Sequence, residues 1–209
     1  MSDKRPFLTG EIGRQLIHML TGAGFIIAIY LSGDHAVPVF AVLLAVAVFM
    51  SVLFKQPDIS RKTPGIFRRF ARPRIQTVKM QGTILLLSGV LVTLFFFPRN
   101  IAYASVAIVA LGDSIATVVG VLIGRHRLPY SKSKTVEGTV SGLAAAFAGA
   151  LLFVSPVQAA AGALGGMFIE SVIKLQTVRK VSLTGLIKFF LNDNFLIPVF
   201  SAMVMFAIR

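Results

Sequence analysis

Long apolar stretches separated by short polar breaks dominate the chain. Seven of these stretches are long enough to cross the roughly 30 Å of hydrocarbon in a bilayer. They lie near 15–32, 36–54, 82–98, 101–124, 138–157, 159–175 and 187–208. Turn-forming residues mark several breaks, as in the Ser-Gly-Asp run at 32–34. The pattern predicts an all-α, polytopic integral membrane protein of about seven transmembrane helices, in which residues 1–209 form a single domain.

The basic residues fall almost entirely in alternate loops. With seven spans, the N-terminus and the connections at 55–81, 125–137 and 174–188 share one side of the membrane, and they carry 19 of the 21 Lys and Arg residues. Arg99 and Arg209 are the exceptions. Because Lys and Arg are enriched in cytoplasmic loops, the N-terminus is predicted to be cytoplasmic and the C-terminus to lie outside.

The composition narrows the classes of function. Hydrophobic residues make up 56% of the 209 residues, well above the usual share in a soluble domain. The net charge of +13 therefore predicts attraction of the basic loops to anionic lipid headgroups and no nucleic-acid partner. Within one loop, TPGIFRRFARP at 63–73 predicts a short interfacial helix, with a solvated basic loop as the alternative. The lack of Cys excludes disulfides and Cys-ligated zinc.

Six ionisable residues lie inside the predicted helices or at their cytoplasmic ends. They are Glu11, Arg14, His18, Asp113, Glu170 and Asp193. A charged side chain near the bilayer centre costs roughly 2.5 to 3.5 kcal/mol on insertion scales, so such residues are candidates for function. All except Asp113 lie within about two turns of a cytoplasmic helix end. We expect them to line one cavity that opens to the cytoplasm.

The polar residues of the first helix share one face. Glu11, Arg14 and His18 are separated by three, four and seven positions, which places them on the same side of a helix. They also interrupt the first apolar stretch, which predicts a retained helix and not a cleaved signal peptide. One interpretation is a functional face. The alternative is that Glu11 and Arg14 extend to lipid headgroups while His18 bonds to a neighbouring helix.

Asp113 lies near the middle of the fourth stretch, on one stripe of small or polar side chains. The stripe contains Asp113, Ala116, Thr117, Gly120 and Gly124. The Gly-x-x-x-Gly spacing is typical of helix packing, and a structural Asp bonded to a neighbouring helix is one interpretation. The other is a carboxylate on a divalent cation, with the glycines letting a phosphate-bearing ligand approach. Because Asp113 is so deep, this second interpretation requires a helix that is tilted, broken or open to a cavity.

The loop that follows this stripe combines cations with hydroxyl groups. It contains Arg125, Arg127, Ser131, Lys132, Ser133, Lys134 and Thr135, followed by Gly138. Cations and neutral hydrogen-bond donors together suit a polyphosphate. The chain contains neither G-x-x-x-x-G-K-[ST] nor G-x-G-x-x-G, so the two common nucleotide-binding motifs are unsupported. We therefore predict a polyphosphate site of another kind.

Two further polar features lie in the last two stretches. Glu170 is followed one turn later by Lys174, so an ion pair at a helix end is an alternative to a functional role. The Asn-Asp-Asn run at 192–194 spans about 200° of a helix and cannot lie within one packing seam. With Pro198 just beyond it, the run predicts a locally opened helix that lines a polar cavity.

Five segments of the chain occur in an informative order. They are EIGRQLIHMLTG at 11–22, KMQGTILLLSGVL at 79–91, LGDSIATVVGVLIGR at 111–125, SKSKTVEGT at 131–139 and DNFLIP at 193–198. Together they resemble the family of CTP-dependent lipid kinases that includes dolichol kinase, phytol kinase and their prokaryotic relatives. The most specific part is Gly-Asp at 112–113, followed by Gly120 and by Lys-x-x-Glu-Gly at 134–138.

The resemblance implies a single transmembrane kinase domain whose active site faces the cytoplasm. It implies transfer of the γ-phosphate of CTP to the hydroxyl of a membrane isoprenoid alcohol, of the polyprenol, dolichol, geranylgeraniol or phytol type, with Mg²⁺ or a similar divalent cation. Carried over by position, the functional residues are Arg14, His18, Asp113, Gly120, Lys134, Glu137, Gly138, Asp193 and Asn194. One position departs from the family, because its first motif usually has a basic pair and here Gln15 follows Arg14. The phosphate contact that the second basic residue of this pair would make is either lost or supplied by Arg125, Arg127 or Lys79.

Phosphoryl transfer depends on positioning and charge neutralisation, which suggests a role for each residue. We predict that Asp113, with Asp193 or Glu170, holds the cation. The predicted nucleotide-binding residues are Arg14, Gly112, Gly120, Gly124, Lys132, Lys134 and Gly138. The catalytic candidates are Asp113, Asp193, Glu137 and His18, of which His18 or a carboxylate would orient the lipid hydroxyl or accept its proton. Glu11 and Asn194 complete the predicted site.

Three other functions stay open from the sequence. A CTP-dependent diacylglycerol kinase would use the same chemistry on a different lipid. A cytidylyltransferase would join a lipid phosphate to the α-phosphate of CTP, but the chain has no cluster of Lys, Arg and Asp near its C-terminus of the kind expected there. A small ion-coupled transporter would use Asp113, Glu170 and Asp193 as an ion path. A homo-oligomer also stays open.

Overall fold

The computed structural model describes residues 5–53, 81–131, 134–178 and 191–209. These residues form the helices α1 Arg5–Ser32, α2 Ala36–Leu53, α3 Gln81–Phe96, α4 Arg99–Ala107, α5 Ser114–Leu122, α6 Val136–Ala150, α7 Pro156–Val178 and α8 Asp193–Ala207. A 3₁₀ turn at Gly33–His35 joins α1 to α2, and a π-helical turn at Ile108–Asp113 joins α4 to α5. Because α4, the π-helical turn and α5 are continuous, we call them the central rod. The predicted all-α fold is confirmed over the described residues.

Seven helical rods in the described part of the chain correspond to the seven predicted stretches, but several boundaries differ. Helix α1 begins at Arg5 and not near 15, and α7 begins at Pro156 and not near 159. Helix α6 ends at Ala150 and a turn leads to Pro156, so the predicted helix over 138–157 is too long. The predicted helix over 187–208 begins outside the described residues, so its opening at Asn-Asp-Asn stays a prediction. Within the described residues, α8 begins at Asp193. Asn192 is not helical, and its side-chain Oδ1 accepts a hydrogen bond from Asn194 N at 3.0 Å. Asn192 is therefore an N-cap that begins α8.

Two helical stretches among the described residues are long and apolar enough to cross a membrane, namely Gly10–Leu53 and Arg99–Leu122. The apolar helices α3 and α8 are shorter. Large apolar side chains on the outer faces of α1 and α2 are exposed, including Leu20, Leu31 and Phe49. Exposed apolar surface of this extent is typical of a surface that another apolar phase covers. Seven membrane crossings stay a prediction, and the predicted interfacial helix at 63–73 lies outside the described residues.

Contacts between helix ends define a polar end of the bundle. Asn194 Nδ2 donates a hydrogen bond to the carbonyl of Gly82 at 3.2 Å, so α8 and α3 begin at the same end. Lys134, just before α6, forms an ion pair with Glu170 near the end of α7. Ser114 Oγ donates to the carbonyl of Gln15 at 3.4 Å, which joins the first half of α1 to the central rod. The polar end thus contains the beginnings of α1, α3, α6 and α8.

The opposite end, which we call the distal end, is held by different contacts. Arg99 forms an ion pair with Asp34, joining the start of the central rod to the turn after α1. The rings of Phe97 and Phe206 lie 5.6 Å apart and join the ends of α3 and α8. Gln158 Nε2 donates to the carbonyl of Met205 at 3.2 Å. Aromatic packing and uncharged hydrogen bonds therefore supply most of these contacts.

Candidate active site

Asp113 is the last residue of the π-helical turn. The turn widens the central rod at Ile108–Asp113, midway along its length. Such turns are rare and occur frequently at functional sites, because the widened turn changes the direction of nearby groups. Ile108 and Gly112 within the turn are buried, so packing holds the irregularity in place. The central rod is therefore irregular at Asp113 but not broken.

Asp113, Lys134 and Glu170 form what we call the buried charge group. The Nζ atom of Lys134 pairs with Oε1 of Glu170 and lies 4.0 Å from Oδ1 of Asp113. The exposed fractions of these side chains are 9% for Lys134, 1% for Glu170 and 12% for Asp113. Burying a charge is costly unless a partner offsets the loss of hydration. The group contains two acids and one base, so its formal charge is negative.

The backbone of the loop before α6 fixes the position of Lys134. Leu128 N donates a hydrogen bond to the carbonyl of Lys134 at 3.1 Å, and Lys134 N donates to Ser131 Oγ at 3.2 Å. Val136 N donates to the carbonyl of His126 at 2.8 Å, which closes the loop. These bonds turn the Lys134 side chain toward the helices. The loop that the sequence predicts as a polyphosphate site therefore contributes Lys134 to the buried charge group. Lys132 lies outside the described residues.

Glu137 ties this loop to the first turn of α6. Its Oε1 accepts a hydrogen bond from His126 N at 3.1 Å and lies 2.7 Å from His126 Nδ1. Hydrogen bonds from its own backbone N–H and from the His126 side chain lower the pKa of Glu137 to about 2. Thr135 caps the same helix, with its Oγ1 accepting from Gly138 N at 3.2 Å. The predicted catalytic role of Glu137 finds no support in this geometry, because its carboxylate is engaged by an exposed histidine.

The small residues of the stripe lie in helix contacts. A Cβ atom at Gly138 would lie 2.5 Å from the carbonyl oxygen of Ala116, and one at Gly112 would lie 2.9 Å from Sδ of Met167. The corresponding atoms at Gly120 and Gly124 would lie 3.1 and 2.6 Å from Oγ1 of Thr135. The geometry supports the packing interpretation of these four glycines. Their predicted contact with a nucleotide stays a prediction.

The polar face of α1 lies against the central rod. Arg14 pairs with Glu11 through two hydrogen bonds, of 2.5 and 3.2 Å. Gln15 is buried, and its Nε2 donates to Glu11 Oε1 at 3.4 Å. The carboxylates of Asp113 and Asp193 also attract the Arg14 guanidinium. The shared face predicted for α1 is therefore formed, and it brings Arg14 close to carboxylates from two other elements.

His18 lies on the same face of α1, between Gln15 and Gly22. Gln15 contacts Ser114, and a Cβ atom at Gly22 would collide with Ala110, so this face packs against the π-helical turn. The Nε2 atom of His18 is buried and has no hydrogen-bond partner among the described residues. Because buried polar atoms are nearly always hydrogen-bonded, a ligand is one explanation for this atom.

The start of α8 brings its polar run to the site. Asp193 Oδ1 accepts a hydrogen bond from Asn194 N at 3.0 Å. Asn194 also joins α3 through the carbonyl of Gly82, so the segments at 79–91 and 193–198 are in contact. No role was predicted for Gly82, because a lone glycine in an apolar helix carries no signal of such a contact. A Cβ atom there would lie 3.1 Å from Asn194 Nδ2.

The three carboxylates predicted as metal ligands do not form one site. The described residues contain no group of three His, Cys, Asp or Glu side chains that could hold a metal ion. Glu170 is paired with Lys134, and its role as a metal ligand stays a prediction. Asp113 and Asp193 both attract the Arg14 guanidinium. Magnesium commonly uses one or two carboxylates and completes its shell with water and substrate phosphates.

Comparison with known proteins shows two similar chloroplastic kinases. Phytol kinase 1 of Arabidopsis thaliana is 26% identical over 141 residues, which cover 66% of this chain and 46% of the relative. Probable phytol kinase 2 of Oryza sativa subsp. japonica is 24% identical over 148 residues, covering 69% of this chain and 48% of the relative. This chain thus spans about half the length of these curated relatives. No family model and no solved structure matches the chain.

Proposed function

We propose that this protein is a kinase that phosphorylates the hydroxyl group of a membrane isoprenoid alcohol, with CTP as the phosphate donor. The observation that carries the proposal is the buried charge group, which joins Asp113 at an irregular helical turn to Lys134 and Glu170. The similarity to two phytol kinases supports a prenol-type kinase at the level of the family. The preference for CTP follows from the family resemblance of the sequence motifs.

Two cations are proposed to bind the triphosphate. Lys134 is fixed by its loop, and Arg14 is oriented by its two bonds to Glu11. Both side chains lie near Asp113 and come from different elements, so they can contact one phosphate chain from two sides. A guanidinium and an ammonium stabilise the charge that spreads over the phosphoryl oxygens during transfer.

Asp113, with Asp193, would hold a divalent cation. When bound with the nucleotide, such a cation neutralises the β- and γ-phosphate oxygens. Asp113 is buried but keeps part of its side chain exposed, so it can contact a ligand without unfolding the helix. Asp193 lies at the beginning of α8, on an element other than the one that holds Asp113.

His18 is the proposed acceptor of the alcohol proton. Its buried Nε2 has no partner among the described residues and lies on the face of α1 that packs on the π-helical turn. In the proposed step, the alcohol oxygen bonds to the γ-phosphorus while its proton passes to Nε2. The bond from the γ-phosphorus to the bridging oxygen breaks, and its electron pair leaves with CDP.

The proposed topology has seven membrane crossings with the polar end in the cytoplasm. In this topology the six connections between the seven rods would alternate between the two ends of the bundle, and 19 of the 21 Lys and Arg residues would lie on the polar side. The exposed apolar faces of α1 and α2 would contact lipid. The tail of the alcohol would stay in the bilayer while its hydroxyl reaches His18.

Single Cys residues at His126 and Asn100 should react from opposite sides of the membrane, and labelling from one side would contradict this topology.

The activity is tested by incubating purified protein with γ-labelled CTP, Mg²⁺ and a panel of lipids. The panel contains phytol, geranylgeraniol, a polyprenol, dolichol and diacylglycerol. Label in an isoprenoid phosphate supports the proposal. Label only in phosphatidic acid would identify a diacylglycerol kinase, and label in pyrophosphate with a lipid phosphate as substrate would identify a cytidylyltransferase. ATP in place of CTP tests the choice of donor.

A further inference from the structure

Glu170 is the most deeply buried member of the buried charge group. Its side chain is 1% exposed, and its Oε1 atom pairs with Lys134 Nζ. Its Oε2 atom is buried and accepts no hydrogen bond from the described residues. An unpaired carboxylate at such a place would strongly destabilise the fold. Lys134 therefore supplies the opposite charge beside Glu170, and Glu170 in turn restricts where the Lys134 ammonium can lie.

Helix α7 holds Glu170 in a rigid position. One turn before it, a Cβ atom at Gly166 would lie 2.5 Å from Oγ of Ser201 in α8 and 2.8 Å from Cγ2 of Ile108 in the π-helical turn. Helix α7 therefore packs directly on both elements, and Glu170 cannot shift without moving them. A side chain locked in this way can set the position of another side chain to within a fraction of an ångström.

We infer that Glu170 is a positioning residue that fixes the ammonium of Lys134 beside Asp113, and that it is not a metal ligand. The inference rests on the proposed function, because it takes Lys134 as a contact of the triphosphate. Lys134 is held from two directions, by Ser131 on its backbone and by Glu170 on its ammonium. The Lys134 Nζ atom also lies 4.0 Å from Oδ1 of Asp113.

The contacts of the Glu170 carboxylate favour the positioning role over a metal-ligand role. The Oε1 atom of Glu170 is already paired with an ammonium, and the whole side chain is enclosed. Asp113 has the larger exposed fraction of the two acids, at 12%. A cation held with the nucleotide would therefore contact Asp113, while Glu170 acts on the nucleotide through Lys134.

The test compares Glu170→Gln, Glu170→Asp, Lys134→Met and the double variant Lys134→Met/Glu170→Leu. CTP binding is measured calorimetrically in EDTA, and KM for CTP, kcat and the Mg²⁺ dependence are measured by transfer of label. Glu170→Gln should weaken metal-free CTP binding by about tenfold, because residues in direct contact are energetically coupled. Glu170→Asp keeps the charge and should recover part of the loss. The double variant should bind CTP no more weakly than Lys134→Met.

Three results would overturn the positioning role of Glu170, and a fourth would overturn the proposed function. A lower unfolding temperature with unchanged CTP affinity of the folded protein would make Glu170 purely structural. A raised Mg²⁺ requirement with unchanged metal-free binding would make it a ligand. Tighter CTP binding by Glu170→Gln would mean that Glu170 competes for Lys134. Each of these overturns the inference while the wild type still transfers label, whereas a wild type that neither binds CTP nor transfers label overturns the proposed function.

Two controls keep the test decisive if Glu170→Gln does not fold. The double variant replaces the ion pair by apolar side chains of similar volume, a change that buried pairs often tolerate. Comparing it with Lys134→Met still shows whether Glu170 acts through Lys134. Asp34→Asn removes an exposed carboxylate of the distal end, and its CTP affinity should equal that of the wild type.

Discussion

The two ends of the bundle each contain an acid paired with a base, but in opposite surroundings. At the distal end, Arg99 and Asp34 form a pair whose side chains are 47% and 91% exposed. At the polar end, Lys134 and Glu170 form a pair that is almost fully enclosed, with Asp113 beside it. An exposed pair contributes little to stability, and a buried pair often adds no net stability over apolar side chains.

The difference supports the proposed functional role of the buried charges. The distal end is joined by aromatic rings and by uncharged bonds such as that from Gln158 to Met205. The polar end is packed equally closely at its glycines, so packing did not require charged groups there. Charges that stability alone does not require are most simply explained by binding and catalysis.

The largest expected effect follows from removing one member of the buried pair. Lys134→Met leaves the Glu170 carboxylate without its cation and should lower the free energy of unfolding by about 3 to 5 kcal/mol. Denaturant titration in detergent measures this change. The double variant Lys134→Met/Glu170→Leu should recover most of the stability and still lack kinase activity. If the double variant is active, the buried pair is not part of the site.

The next effect tests the packing beneath the buried charge group. A Cβ atom at Gly142 would lie 2.6 Å from the Cβ of Ala116, so Gly142→Ala should destabilise the fold by about 1 to 3 kcal/mol. The matched control is Gly24→Ala, since a Cβ there meets nothing within 4 Å. Thermal unfolding of both variants in the same detergent measures the difference. Equal unfolding temperatures would contradict the close helix contact at Gly142.

Two helix caps allow the polar and distal ends to be compared through variants that should lose equal stability. Asn192 caps α8 at the polar end, and Ser155 Oγ accepts from Gln158 N at 3.4 Å at the distal end. Asn192→Ala and Ser155→Ala should each lower stability by about 1 kcal/mol. Because Asp193 follows the first cap, Asn192→Ala alone should also lower kinase activity. Parallel measurements of unfolding and label transfer check this, and equal loss of activity in both would contradict it.

The contribution of Glu137 to the stability of the fold should depend on pH only under acidic conditions. Its pKa in the folded protein is about 2, below the ordinary value of 4.5. Its contribution to stability is therefore complete above pH 4.5 and is lost as the pH falls through 2. The stability difference between wild type and Glu137→Gln should shrink over that window. A difference that stays constant down to pH 2 would contradict the bonds that hold Glu137 to the His126 loop.

The smallest expected effect is at the exposed pair of the distal end. Asp34→Asn should change the free energy of unfolding by about 0 to 1 kcal/mol and leave activity unchanged. Raising the salt concentration should reduce the effect further, because exposed charges are screened. A loss comparable to that of Lys134→Met would remove the contrast between the two ends.

The rods of the fold were predictable because long apolar runs with turn residues between them have few alternatives. The ends of α6 and α8 were not. Leu151 to Val154 are apolar, so nothing in the pattern showed that α6 stops at Ala150. The start of α8 at Asp193 was not predictable because cap residues and polar helix residues are the same types. The N-cap bond of Asn192 became visible only in three dimensions.

The site was predictable where its residues are close in sequence. The spacing of Glu11, Arg14 and His18 revealed their shared face, and the depth of Asp113 required an irregular helix. The pair between Lys134 and Glu170 was not predictable, because its members lie on different elements. Local spacing instead suggested Lys174 as the partner of Glu170. In the folded protein, the Glu170 side chain contacts Lys134.

The most direct test of the account measures transfer of label from γ-labelled CTP to an isoprenoid alcohol by wild type, Asp113→Asn and Asp34→Asn. The variants exchange one acid for its amide, at the polar and the distal end respectively. The wild type and Asp34→Asn should form labelled isoprenoid phosphate at equal rates, and Asp113→Asn should be slower by about 100-fold or more. Wild-type turnover by a folded Asp113→Asn variant would contradict the role of the buried charge group.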